Sequence, residues 1–353
     1  MRRYSFGASI LVAIVAVLLT VCLHLARAER YNGGPANGFH LIHQYKLGGE
    51  GFWDYLTLDS KARRLYISRG TRVVVMNVDN GSVVGEVPDT NGVHGIALAT
   101  KLGRGFASDG RDGKVTIFDL KTLKVLGEAK TGQNPDAIIY DDATKRVFTF
   151  NGRSSDSTAI DAASGSVAGT IPLGGRPEFA AADGRGNVYV NLEDKSKVVQ
   201  LDSKNLSVKA TWPLAPGESP SGMAIDRKHK RLFIGCHNQM MVVMDATNGH
   251  VVATPAIGQG VDANAFDPGT KLAFSSNGDG TLTVVHEDSG EKFSVVENAA
   301  TQRGARTMAV DLKTHHVFVV TAEFGAPAAA TAQNPHPRPA MLPGSFTVLE
   351  YGR

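Results

Sequence analysis

Three features of this sequence predict an all-β fold, a seven-bladed β-propeller of four-stranded antiparallel blades. A phrase recurs along most of the 353 residues at intervals of roughly 40–44 positions. Each copy holds short runs of β-branched and aromatic residues bounded by Gly, Asn, Asp and Ser, which is the composition of strands and turns. About seven such copies follow one another, and a spare strand stands before the first.

The strands can be placed copy by copy. First strands end at Leu58-Asp59, Leu98-Ala99, Tyr140-Asp141, Ala182-Asp183, Ile225-Asp226, Phe266-Asp267 and Val310-Asp311. Second strands follow near Leu65, Gly105, Val147, Val188, Leu232, Leu272 and Val317. Third strands begin at Val73, Val115, Ser157, Val198, Met241, Leu282 and Phe346. A turn and a last strand complete each copy, except that the seventh stops after its third strand, at Tyr351. The spare strand, Phe39 to Leu47, is therefore expected to complete the last blade as its outer strand. That pairing joins the two ends of the ring and leaves no open circular edge.

These copies resemble the YVTN-type repeats of the YncE-like propeller family. The residues that carry the resemblance are Asn134-Pro135-Asp136, Lys145-Arg146-Val147-Phe148 and Ala159-Ile160-Asp161, and again Ser219-Pro220, Lys230-Arg231-Leu232-Phe233 and Val243-Met244-Asp245. The resemblance spans residues 39–353. It implies the propeller fold and names no ligand, because propellers host many unrelated functions. Ala99 and His286 replace the usual Asp in two copies and are read as drift within the scaffold.

Ahead of the repeats, Arg2 and Arg3 precede an apolar run from about Ala8 to Leu25, and Ala26-Arg27-Ala28 supplies small residues at the positions a signal peptidase reads. The reading is a signal peptide over 1–28, a linker over 29–38 and a periplasmic or secreted propeller over 39–353. An uncleaved membrane anchor is the alternative for the first segment. Cys22 would leave with the signal, so Cys236 has no disulfide partner and is read as a structural thiol. Without Arg2, Arg3 and Arg27, the chain's 37 basic residues fall to the number of its 34 acidic ones. A neutral domain lacks the broad positive field of nucleic-acid binders, so a nucleic-acid partner is not expected. The expected state is a monomer.

Strand order assigns the loops to two faces. On the lower face the turns between first and second strands are basic, with Lys61, Arg63 and Arg64, Lys101 and Arg104, Lys145 and Arg146, and Arg227, Lys228, Lys230 and Arg231. They read as solvated turns offset by nearby Asp, with a polyanion-binding ring as the alternative. On the upper face the entry loops carry Trp53, Asp54, His94, Asp136, Glu178, Ser221, Asp262, Asn264 and Arg306. A second tier carries Arg69, Asp109, Asn151, Asn191, His237, Asn277 and Glu323. One loop from every blade converges on this mouth, so the candidate ligand-binding residues are Trp53, Asp54, His94, Asp136, Glu178, Asp262, Arg306 and His237. No assigned metal or cofactor follows from the residues, although carboxylates with His94 and His237 are the side chains a divalent ion would use.

One segment breaks the repeat. Residues 324–345 form a Pro-rich insertion in the seventh blade, read as a flap over the mouth with His336 and Arg338 facing a ligand. Asn277 to Gly280 resembles part of a calcium loop and is read as a hairpin turn. The chain has no zinc-protease, nucleophile-elbow or phosphate-loop motif. The function expected is thus an exported, non-enzymatic scaffold that binds a protein or small-molecule ligand on its upper face. A lactonase-like hydrolase using the same carboxylates and His is the first alternative, and the polyanion-binding module is the second.

Overall fold

A computed structural model describes residues 38–327, 331 and 339–353. The signal-peptide and cleavage readings, nearly all of the linker, and His336 and Arg338 lie outside these residues. Among the described residues no helix is long and apolar enough to cross a membrane.

Seven four-stranded antiparallel sheets follow one another in chain order. They occupy residues 56–87, 93–130, 135–172, 177–213, 220–253, 261–300 and 308–352, here blades 1 to 7. Within blades 1 to 6 the strands run from innermost to outermost in sequence order. In blade 7 the outermost strand is His40–Lys46, which pairs antiparallel with the strand Thr347–Gly352. The expected closure is thus present, made of backbone hydrogen bonds between the two ends of the ring. Glu350 reinforces it. Tyr45 donates to its Oε2 at 2.9 Å, and the Nδ1 atoms of His43 and His316 lie 3.0 and 2.7 Å from its two oxygens.

The repeat forms strands for local reasons and a ring for packing reasons. Each second strand places an aromatic at the same register position: Tyr66, Phe106, Phe148, Tyr189, Phe233, Phe274 and Phe318. All seven are buried, and each contributes roughly 2–3 kcal/mol of apolar burial. They belong to clusters that join neighbouring blades, such as Phe148 with residues of blade 4 and Phe318 with residues of blade 1. A β-bulge between the third and fourth strands recurs in blades 1 to 6 and steepens the twist of the outer strand.

The lower face shows why the basic turns recur. Arg64, Arg104, Arg146 and Arg231 open the second strands of blades 1, 2, 3 and 5. Each donates to backbone carbonyls at the base of the following blade: Leu120, Ala162 with Ala163, Ser203 with Lys204, and Gly290. These guanidinium groups are clamps between blades rather than a free basic ring. Lys101 and Lys145 both reach Asp142, at 3.2 and 2.7 Å, as the reading of offset turns expected. The central channel opens on this face into a cavity of about 630 Å³ whose walls include Ile96, Ile138, Ala181 and Phe266.

Candidate functional site

The upper mouth is built from one position per blade at the entry to the innermost strand: Asp54, His94, Asp136, Glu178, Ser221, Asp262 and Arg306. Serines on the second strands hold these entries in place. Asp54 N donates to Ser68 Oγ at 2.8 Å and Gly95 N to Ser108 Oγ at 2.9 Å. Ser108 and Ser276 in turn donate to the Asp136 and Arg306 carbonyls of the next blade. The innermost strands approach so closely that a Cβ at Gly222 would lie 2.4 Å from Asn264 N.

The residues one step further into the channel are Tyr55, Gly95, Ala137, Phe179, Gly222, Ala263 and Thr307. Five are small and two are aromatic. Tyr55 of blade 1 and Phe179 of blade 4 fill the space the small residues leave, their ring centres 4.5 Å apart. They form an apolar floor beneath the charged mouth. Sequence reasoning missed both, although two aromatics among small residues at one repeat position were a visible signal.

On this floor the acidic residues crowd together. His94 Nδ1 lies 2.6 Å from Asp54 Oδ2 and 3.6 Å from Asp136 Oδ1. Gly110 makes room for the ring, since a Cβ there would lie 2.6 Å from His94 Cδ2. Burial opposes charging of His94, but the hydrogen bond to Asp54 and the Asp136 charge outweigh it and raise its pKa. Asp136 is raised to about 6, chiefly by burial, with His94 pulling down and Asp54 and Glu193 pushing up. Glu178 is raised to about 9 by burial and then by Asp136, Glu193, Asp262 and Asp54. Asp262 is raised to about 7 by burial, partly offset by Arg306, whose Nε is 3.8 Å away. The Tyr55 phenol is driven well above 10 by burial and by the same carboxylates.

This is a site short of positive charge. Asp54, His94 and Asp136 alone offer three ligand atoms within 4.8 Å of one another, enough to hold a metal ion. An ammonium or guanidinium group would meet the same need.

The other expected residues fall elsewhere. Trp53 packs on Phe346 and Phe324, at 5.2 and 6.1 Å between ring centres. Phe324 belongs to the stem of the insertion, zipped by Gly325 N to Ala340 O and Leu342 N to Glu323 O. Trp53 therefore fastens that stem beside Asp54. His237 Nε2 is 3.9 Å from Glu193 Oε1, and Glu193 is held by Arg176 at 2.6 Å. Glu193 joins the field of the mouth without having been foreseen, because it stands in a single-turn 3-10 helix, Glu193–Lys195, that the repeat pattern does not show.

The second tier is largely buried and structural. Arg69 stacks over Phe346 at 3.6 Å and donates to the carbonyls of Gly48, Gly49 and Glu50. Asp109, Asn151, Asn191 and Asn277 are fully buried. Asn151 and Asn277 donate to threonines of the adjacent third strands. Asp109, Asn151 and Asn277 end second strands inside the blade, where a buried polar side chain needs a partner, and the third-strand threonines supply it. Cys236 is buried, and its thiol is raised to about 12 by desolvation. In the segment resembling a calcium loop, Asp279 accepts from Gln259 N, Thr281 N and Thr281 Oγ1, as a turn requires.

Comparison with curated proteins finds similarity to the YncE protein of two strains of Escherichia coli, described as uncharacterized. The identities are 26% and 25% over 155 residues. Each match covers 40% of this chain and 44% of the relative, so the matched region spans less than half of either. No protein-family model matches the chain. The seven four-stranded blades and this similarity together fit a YncE-like propeller protein.

Proposed function

We propose that the protein is an exported, non-enzymatic propeller scaffold that takes a cationic group of its ligand into the acidic upper mouth. The observation that carries this reading is the crowding of Asp54, Asp136, Glu178 and Asp262 above the Tyr55–Phe179 floor, where burial first and the neighbouring carboxylates second raise the pKa of Asp136, Glu178 and Asp262. Like charges gathered in a half-dry site are relieved by a bound cation. The arginine-flanked apolar run at residues 8–25 supports export. Trp53, holding the insertion stem beside Asp54, supports the flap reading.

Calorimetric titration with Ca²⁺, Mn²⁺, Zn²⁺ and spermidine tests the proposal. At least one should bind, and Asp136→Asn with Glu178→Gln should weaken it at least about tenfold. If none of the four shows a binding event that these substitutions weaken, the acidic ligand site is refuted. Deleting residues 327–340 should alter ligand binding while melting stays cooperative.

A hydrolase is the second reading, favoured by one contact: Asp54 orients His94 at 2.6 Å as a carboxylate orients a general base. Lactone hydrolysis by wild type, lost in His94→Ala, Asp136→Ala and Glu178→Ala, would put it first.

A further inference from the structure

The lower face holds a second cluster, at the junction of blades 5 and 6, where two departures from the repeat meet on one residue. In blades 3, 6 and 7 the Asp ending the first strand accepts from a Thr three residues on and is met by a donor on the following blade. Asp141 accepts Thr144 Oγ1 at 2.7 Å and Ser203 Oγ at 2.6 Å. Asp267 accepts Thr270 Oγ1 at 2.7 Å and lies 2.7 Å from His315 Nδ1. Asp311 accepts Thr314 Oγ1 at 2.8 Å and the Arg63 guanidinium. In blade 5 the Thr position holds His229, and the position of Ser203 holds Glu287.

Asp226 therefore faces a second carboxylate where its counterparts face a donor. Asp226 is 3% exposed and Glu287 1%, and Glu287 Oε2 is buried without a hydrogen-bond partner. His229 Nδ1 lies 2.7 Å from Asp226 Oδ2 and 3.0 Å from Glu287 Oε1. The three ligand atoms lie within 4.8 Å of one another. Arg231 is committed to Asp245 and to the Gly290 carbonyl, leaving the pair uncompensated by that guanidinium. Two buried carboxylates beside one imidazole make a strongly unfavourable site unless something cationic sits among them.

We propose that Asp226, His229 and Glu287 bind a divalent transition ion, Zn²⁺ or Mn²⁺, that staples blade 5 to blade 6. One nitrogen and two carboxylate oxygens form a donor set such ions accept. Ligands on a tetrahedral zinc stand roughly 3.4 Å apart, so the observed distances need widen by less than about 1 Å. His229 is partly exposed, which gives the ion a path in and a water for a further position. This site is separate from the upper mouth and does not depend on its reading.

Zn²⁺ and Mn²⁺ titrations of the tag-free protein test the proposal, with elemental analysis after purification without chelator. The key variant is His229→Thr with Glu287→Ser, which installs the residues that surround Asp141 at the junction of blades 3 and 4. Glu287→Gln alone is the milder control. Wild type should take one equivalent that survives Asp54→Asn with Asp136→Asn. Both lower-face variants should lose it by more than about 100-fold in affinity. Chelator should lower the wild-type melting temperature and leave the double variant unmoved. If wild type and the double variant bind equal amounts, or wild type binds neither ion there, a proton shared by Asp226 and Glu287 explains the cluster and the proposal fails.

Discussion

The charge crowding at the mouth has a measurable cost in stability, and Glu178→Gln isolates it. The Glu178 carboxyl is raised from 4.5 to about 9 by burial and by Asp136, Glu193, Asp262 and Asp54. The folded protein therefore keeps a proton that the unfolded chain releases above pH 4.5. Stability must fall as pH rises from that value toward 9. Each pH interval of retained proton corresponds to about 1.4 kcal/mol, so by pH 7 the upper limit is about 3 kcal/mol. Water reaching the mouth reduces this, and an effect of about 1–3 kcal/mol is expected. His94 acts in the same direction, since its raised pKa gives stability that is present at low pH and lost as pH rises through the folded value. Glutamine fills the same space and does not titrate. In urea unfolding, Glu178→Gln should match wild type near pH 5 and exceed it by about 1–3 kcal/mol at pH 7. The pH slopes of the two proteins should differ most between pH 5 and 8. Parallel slopes, or a variant less stable than wild type at pH 7, would refute the account of a strained acidic mouth. Saturating cation should narrow the difference, because it neutralises the carboxylates that Glu178 opposes.

The remaining predictions concern single contacts. Gly110→Ala should push the His94 ring off Asp54 and cost about 1–3 kcal/mol in thermal unfolding, with weaker cation binding in the mouth. Glu350→Ala leaves Tyr45, His43 and His316 without their shared acceptor at the ring closure, and should cost about 2–4 kcal/mol in chemical denaturation. Arg146→Ala removes the clamp onto the Ser203 and Lys204 carbonyls and should cost about 1–3 kcal/mol, with Arg146→Lys recovering only part of it.

The clamp and closure residues also show where sequence reading succeeds. The arginines recur at one register because each second strand begins beside the next blade, so repetition in sequence became repetition in contact. The mouth was legible as a set, since one entry residue per blade must converge on the channel. Its members were not equivalent, however. His94 meets Asp54 and Asp136, whereas Trp53 joins the insertion stem and His237 faces Glu193. Asp226, His229 and Glu287 were hidden more deeply, because His229 and Glu287 stand 58 residues apart in sequence. Neither stood out in the sequence, and only the closed ring brings them together.

The sequence by itself determined the seven blades, the strand order and the N-terminal closing strand. Those depend on local alternation and turn chemistry, which every copy states again. Only the tertiary structure decided which charges meet, because contacts between blades join residues about 40–60 positions apart whose side chains carry no mutual pattern. It also decided that the basic lower turns clamp carbonyls and that carboxylates stand together at two places, partly buried in the upper mouth and buried at the junction of blades 5 and 6. Electrostatic energy depends on separation and burial, and both are set by the closing of the ring.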